Sequence, residues 1–115
     1  MDRSIVIESY STKWVKERRV VVRPNTYGNN GNLALQVFDA ENGNPIATAT
    51  VNPAVGGPLP KGVVAIKNWS ENEGVEQALI EGGIIEAEPV AELEQGFVRI
   101  NIFKLTQKAR EIFGV

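Results

Sequence analysis

The chain has 115 residues, 43% of them apolar and 23% charged, with a net charge of −2; this is the make-up of one globular domain with a single modest core. It contains neither cysteine nor histidine, which excludes disulfides, Cys/His zinc centres and nucleophiles activated by histidine. The near-neutral charge gives no overall pull toward nucleic acid or anionic membrane, and no run approaches the roughly 18 apolar residues of a membrane span. No basic segment followed by an apolar one opens the sequence, so a signal peptide is not expected and the expected setting is cytoplasmic.

Ser4 to Tyr10, SIVIESY, alternates as a strand does, with Ile5 and Ile7 on one face. The polar STKWVKE that follows reads as a connection or a short irregular strand edge. RRVVVRPNTYG is β-branched and then meets Pro24, which cannot donate to a ladder, so the strand is expected to be an edge or bulged there.

Asn30-Gly31 and Asn42-Gly43 each suit a two-residue type I′ corner. That register sets Asn29 opposite Asn32, Tyr27 opposite Ala34, Glu41 opposite Asn44 and Val37 opposite Thr48. The result is a three-stranded antiparallel meander. Period two puts Val22, Leu33, Leu35, Val37, Ile46, Thr48 and Thr50 on one face, and Val21, Tyr27, Ala34, Phe38, Ala47, Ala49 and Val51 on the other. The alanine-rich face is expected to receive a helix.

PAVGGPLPKG has three prolines and three glycines in ten residues and reads as a loop. VVAIKNW reads as a short buried strand. Ser70 stands three residues before Glu73, the spacing of a capping box, and Val75, Leu79 and Ile80 give an apolar stripe that ends at Gly82-Gly83. The main helix is therefore expected over residues 71–81. IIEAEPVAELEQ alternates but contains Pro89, and is expected to be extended or an edge strand. GFVRINIFKL is a strand with Val98, Ile100 and Ile102 on one face and Phe97, Phe103 and Leu105 on the other. TQKAREIF forms a short C-terminal helical turn whose apolar side is Leu105, Ala109, Ile112 and Phe113. The expected fold is a single α+β domain, mostly antiparallel sheet, with one main helix.

The charges are unevenly placed. Between Asn68 and Val98 there are eight glutamates (Glu71, Glu73, Glu76, Glu81, Glu86, Glu88, Glu92 and Glu94) and no lysine or arginine. Such a flank suits an acidic surface that occupies a basic groove on a partner; it equally suits a solvated helix face whose first carboxylates complement the helix dipole. The candidate partner contacts are Trp69, Glu71, Glu73, Glu76, Glu86 and Glu88. Trp69 is either an exposed anchor or a staple on Gly74 or Val75. The alternating glutamates lack the loop spacing of a calcium site or the cleft of a glycosidase pair. Lys13, Trp14, Lys16, Arg18 and Arg19 combine basic and aromatic character, as single-strand nucleic-acid surfaces do; edge-strand protection explains them equally. GNNGN and GGPLPKG match no phosphate-loop pattern and read as turns.

The segments TYGNNGNLALQV, ATVNP, KNWSENEGV and GFVRINIFKL, in that order, resemble small proteins of unknown function carried by bacterial conjugative elements and phages. The resemblance covers about four fifths of the chain. It implies a phage or mobile-element setting, where small cofactor-free proteins often block host defence proteins. The expected function is thus non-enzymatic binding of a host protein or protein–nucleic acid complex, without cofactor or membrane; the alternative is a nucleic-acid-binding module built on Lys13 to Arg19. A homodimer through an edge strand near Pro24 or Pro89 is also compatible with the sequence.

Overall fold

The computed structural model describes residues 3–53 and 57–115. Seven strands and two α-helices follow in the order β1 (Ile5–Tyr10), β2 (Arg18–Thr26), β3 (Leu33–Asp39), β4 (Pro45–Thr48), β5 (Val63–Ile66), α1 (Val75–Glu81), β6 (Ala91–Gln95), β7 (Val98–Lys104) and α2 (Gln107–Phe113), with a 3₁₀ turn at Ser70–Asn72 before α1. The fold is α+β. One antiparallel sheet has the order β1-β2-β3-β4 and contains the expected meander; the other has the order β5-β7-β6. Residues 49–51 join them, because Ala49 N donates to Leu35 O, Lys67 N to Ala49 O and Val51 N to Ala65 O.

The two Asn-Gly corners form, but not as two-residue turns. In each, a four-residue loop separates the closing pair. Tyr27 N donates to Asn32 O and Gly31 N to Tyr27 O; Asp39 N donates to Asn44 O and Gly43 N to Asp39 O. Only the glycine of each corner has positive φ, 75° at Gly31 and 74° at Gly43, whereas type I′ needs both central residues there. The asparagine does another job: Asn30 Oδ1 accepts from Asn32 N, and Asn42 Oδ1 from Asn44 N.

These loops change the pairing. Thr26 faces Leu33 and Val22 faces Val37. The shift between β2 and β3 is two residues, so the faces survive. Between β3 and β4 Val37 faces Ala47 and Phe38 faces Pro45, leaving Ile46 as a bulge. A bulge swaps sides, so Ala49 joins Leu35 and Val37 in the core instead of Thr48, which is exposed. The helix also packs on the face opposite to the expected one. Val75 and Leu79 of α1 share a cluster with Val20, Val22, Leu35 and Val37. Arg23 opposite Gln36 places polar side chains among Val21, Ala34 and Phe38 on the other face of β2 and β3, while the chosen face is apolar throughout at Val20, Val22, Leu35 and Val37. Pro24 sits where β2 has run past the start of β1, whose first pair is Ile5 with Val22; the strand is central before the proline and has only β3 beside it there.

The main helix is in two pieces. Ser70 has φ 58° and makes no cap, and Gly74, with φ 96°, occupies the N-cap of α1. The backbone N–H of Glu76 is instead satisfied by Asn68 Oδ1 at 3.1 Å. The end at Gly82-Gly83 is as expected, with Gly83 left-handed. Thr106 caps α2 by accepting from Ala109 N at 3.1 Å, and Ala109 and Phe113 are buried. A second, smaller cluster of Ala65, Ile100 and Ile102, with Trp69 and Leu93 against it, lies on the other face of the β5-β7-β6 sheet. No helix among the described residues is long and apolar enough to cross a membrane.

Candidate interaction surface

Residues 68–76 leave β5 and turn sharply into α1, using the left-handed Ser70 and Gly74. This turn is held from one side by the connection after β1. Lys13 N donates to Glu73 O at 2.9 Å, and Trp14 Nε1 donates to Ser70 O at 3.2 Å. Lys13 Nζ lies 2.9 Å from Glu73 Oε2 and 5.2 Å from the centre of the Trp14 ring. The indole is pinned at its nitrogen yet 66% exposed. Lys13, Trp14, Ser70, Glu71 and Glu73 enclose a shallow depression of about 390 Å³.

On the other side of Trp69 stands the β6–β7 hairpin. Gln95 pairs with Val98, so Gly96-Phe97 is a true two-residue corner. Gly96 alone of the two has positive φ, 62°, which is the type II′ arrangement. The corner projects Phe97 with its ring fully exposed. Between the hairpin and α1 is a second depression of about 410 Å³, lined by Asn68, Trp69, Glu76, Glu92, Phe97 and Arg99 with their neighbours. Asn101 Nδ2 donates to Glu76 Oε2 at 3.1 Å. Arg99 Nε is 3.3 Å from Glu92 and its Nη2 3.7 Å from Glu94.

The fold thus brings Trp69, Glu71, Glu73 and Glu76 onto adjoining depressions, and adds Trp14 from the basic segment. Trp69 is half-buried against the smaller cluster. Glu86 and Glu88 do not line this surface. Glu86 lies beside Lys104 and Arg110 in a separate depression, and Glu88 is exposed just before β6.

Nor is the acidic stretch free of cations in space. Glu71 pairs with Lys67, Glu73 with Lys13, and Glu92 and Glu94 with Arg99. The hydrogen bond from Lys67 holds the Glu71 carboxyl below the usual carboxylate range. The basic segment is spent in the same way: Arg18 pairs with Asp39 at 2.7 Å and Arg19 with Glu8 at 2.7 Å. Among the described residues only Lys16 of its four cations has no ion pair. Phe97 is the residue that sequence reasoning placed on a strand face and that the structure puts at a tip. The signal was Gln-Gly-Phe-Val: a glycine first in a two-residue corner leaves the second position outside the sheet.

Compared with protein-family models, curated proteins and solved structures, the chain matches none.

Proposed function

We propose that this is a non-enzymatic binding protein that meets a partner protein through the face carrying Trp14, Trp69 and Phe97, with Glu71, Glu73, Glu76 and Glu92 among them. The observation that carries this is Phe97. A fully exposed phenyl ring at a two-residue corner gives up apolar burial in the free protein, and aromatic side chains dominate interface hot spots. The half-buried Trp69 beside it and Trp14 beyond, 66% exposed, supply further anchors, and Glu76, which has no ion pair among the described residues, offers a carboxylate to a basic group on the partner. The resemblance to phage and conjugative-element proteins extends the proposal: the partner is a host protein, such as a component of a defence complex, whose basic surface is covered. The pairing of Arg18 and Arg19 with carboxylates removes cations that the nucleic-acid alternative relies on.

The test is retention of a protein from a lysate of the cell that carries the gene. A protein held by the wild type, released by Phe97→Ala and held by Lys108→Ala supports the proposal. Equal retention by all three forms contradicts it.

A further inference from the structure

The strand β6 is the outer strand of its sheet. In the order β5-β7-β6 it pairs with β7 alone, and among the described residues no other element bonds to the backbone of Ala91–Gln95. A two-residue corner is closed by a hydrogen-bonded pair, here Gln95 with Val98. Alternation then turns the backbone of Leu93 and Ala91 toward β7 and that of Glu92 and Glu94 outward, away from the sheet. At the other end Val90 N donates to Ile102 O at 2.8 Å, the residue that Ala91 already faces, so a bulge closes the regular edge there. Two exposed apolar side chains flank the open stretch, Val90 and Phe97.

Side chains along this edge sort by face. Glu92 and Glu94 stand opposite Asn101 and Arg99, while Leu93 stands opposite Ile100 on the other face, against the smaller apolar cluster. The one guanidinium of Arg99 serves both Glu92 and Glu94. Glu76, bonded by Asn101 on the same face, has no ion pair among the described residues. The edge is therefore open in its hydrogen bonds and acidic on one face. A second copy of the chain does not suit it: two-fold antiparallel pairing of β6 brings the glutamates of one copy against those of the other, and like charges directly opposite destabilise a strand pair. We propose that the β6 edge takes up an extended segment of the partner protein as a fourth strand, with lysine or arginine facing Glu92 and Glu94 and an apolar residue between them facing Leu93. This rests on the Phe97 face being the contact surface and names what that surface holds. Main-chain hydrogen bonds supply affinity, and the carboxylates select a basic segment.

The experiment is a titration of the full chain with the peptide acetyl-Val-Lys-Val-Lys-Val-amide, followed by amide chemical shifts and hydrogen exchange. The amides of Glu92 and Glu94 are expected to shift saturably and to become protected. The same peptide methylated on both lysine amide nitrogens, which cannot donate to β6, is expected to bind more weakly, as is acetyl-Val-Glu-Val-Glu-Val-amide. Glu92→Gln/Glu94→Gln is expected to lower the affinity about fivefold, the effect of losing two cross-strand charge pairs. Both side chains are exposed, so an unchanged melting temperature is expected, and Lys108→Gln binds as the wild type does. The edge pairing is overturned if the peptide leaves the Glu92 and Glu94 amides unprotected, if the methylated or the glutamate peptide binds as tightly, or if the double variant binds equally well. Protection that grows with protein concentration alone overturns it in favour of a second copy. Partner capture that depends on Phe97, without protection of these amides by the peptide, overturns the edge pairing and leaves the aromatic face standing; protected amides in a chain that captures no protein support the edge pairing and count against that face.

Discussion

Asn32 Nδ2 donates to Asn52 Oδ1 across 3.1 Å, and this bond ties the first hairpin corner to the segment that follows the junction of the two sheets at residues 49–51. Asn52 Oδ1 also accepts from Asn30 Nδ2 at 3.1 Å, and its own Nδ2 donates to Asn29 Oδ1 at 2.9 Å. Asn32 is buried, with its Oδ1 accepting from Leu59 N at 2.8 Å. The asparagines of GNNGN thus form a latch as well as a turn. Asn52→Ala strands the buried Asn32 amide, and a loss of about 2–3 kcal/mol is expected. Urea denaturation measures it. Asn52→Asp keeps the acceptor oxygen and is expected to lose less.

Asp39 closes the second corner. Its Oδ2 accepts from Arg18 at 2.7 Å and its Oδ1 from Glu41 N at 2.8 Å. The Arg18 hydrogen bond first, and the Glu41 backbone N–H second, hold its carboxyl below the usual carboxylate range. A depressed carboxyl stabilises the fold above its unfolded value of 3.8, and this contribution is lost as the pH falls through the lower folded value. Thermal melts from pH 6 to pH 2 are therefore expected to fall less steeply for Asp39→Asn than for the wild type.

Tyr10 is the opposite case. Its ring is buried, and desolvation pushes the phenol up to about 12. The neutral phenol is what the fold holds, so its contribution is complete below pH 10 and declines as the pH rises through about 12. Ultraviolet titration is expected to show a phenol ionising near 12 that is missing from Tyr10→Phe.

The start of α1 rests on Asn68 and Gly74. Asn68→Ala removes the side chain that satisfies Glu76 N, and a cost of about 1 kcal/mol is expected, as for a lost cap. Gly74→Ala is expected to cost more. It forces a side chain into φ 96° and brings a Cβ to 3.3 Å of the Lys13 and Thr12 backbone, so it also loosens the loop that carries Trp14. Chemical denaturation of the two variants ranks them.

Alternation and turn residues made the meander, the buried β5, the edge strand after Pro89 and the α2 stripe readable in advance, because each depends on neighbours in sequence. What was not readable depends on distance. Asn-Gly signals a corner but not its length; the pair of hydrogen bonds from Asn32 and Gly31 selects a four-residue loop. Ser70 and Glu73 have capping-box spacing, yet the contact with Thr12 to Trp14 draws the chain into a left-handed turn there, and a residue eight positions from Glu76 in the pair Asn68–Glu76 does the capping. The run of glutamates without lysine or arginine holds in sequence only. Lys13 and Arg99 come from outside that run and neutralise Glu73, Glu92 and Glu94. Of the candidate residues, Trp69, Glu71, Glu73 and Glu76 lie together around the turn into α1, and Phe97 stands near Trp69 at a two-residue corner.

Phe97→Ala removes an exposed ring that supports nothing beneath it, so a stability change within about 0.5 kcal/mol is expected, together with loss of partner capture. The most direct measurement is photo-crosslinking in the cell that carries the gene, with a photoreactive phenylalanine analogue at position 97 and, separately, at position 108 on the exposed side of α2. A discrete protein adduct from position 97, absent from position 108, is the predicted result. No adduct from position 97, with one formed from position 108, contradicts it.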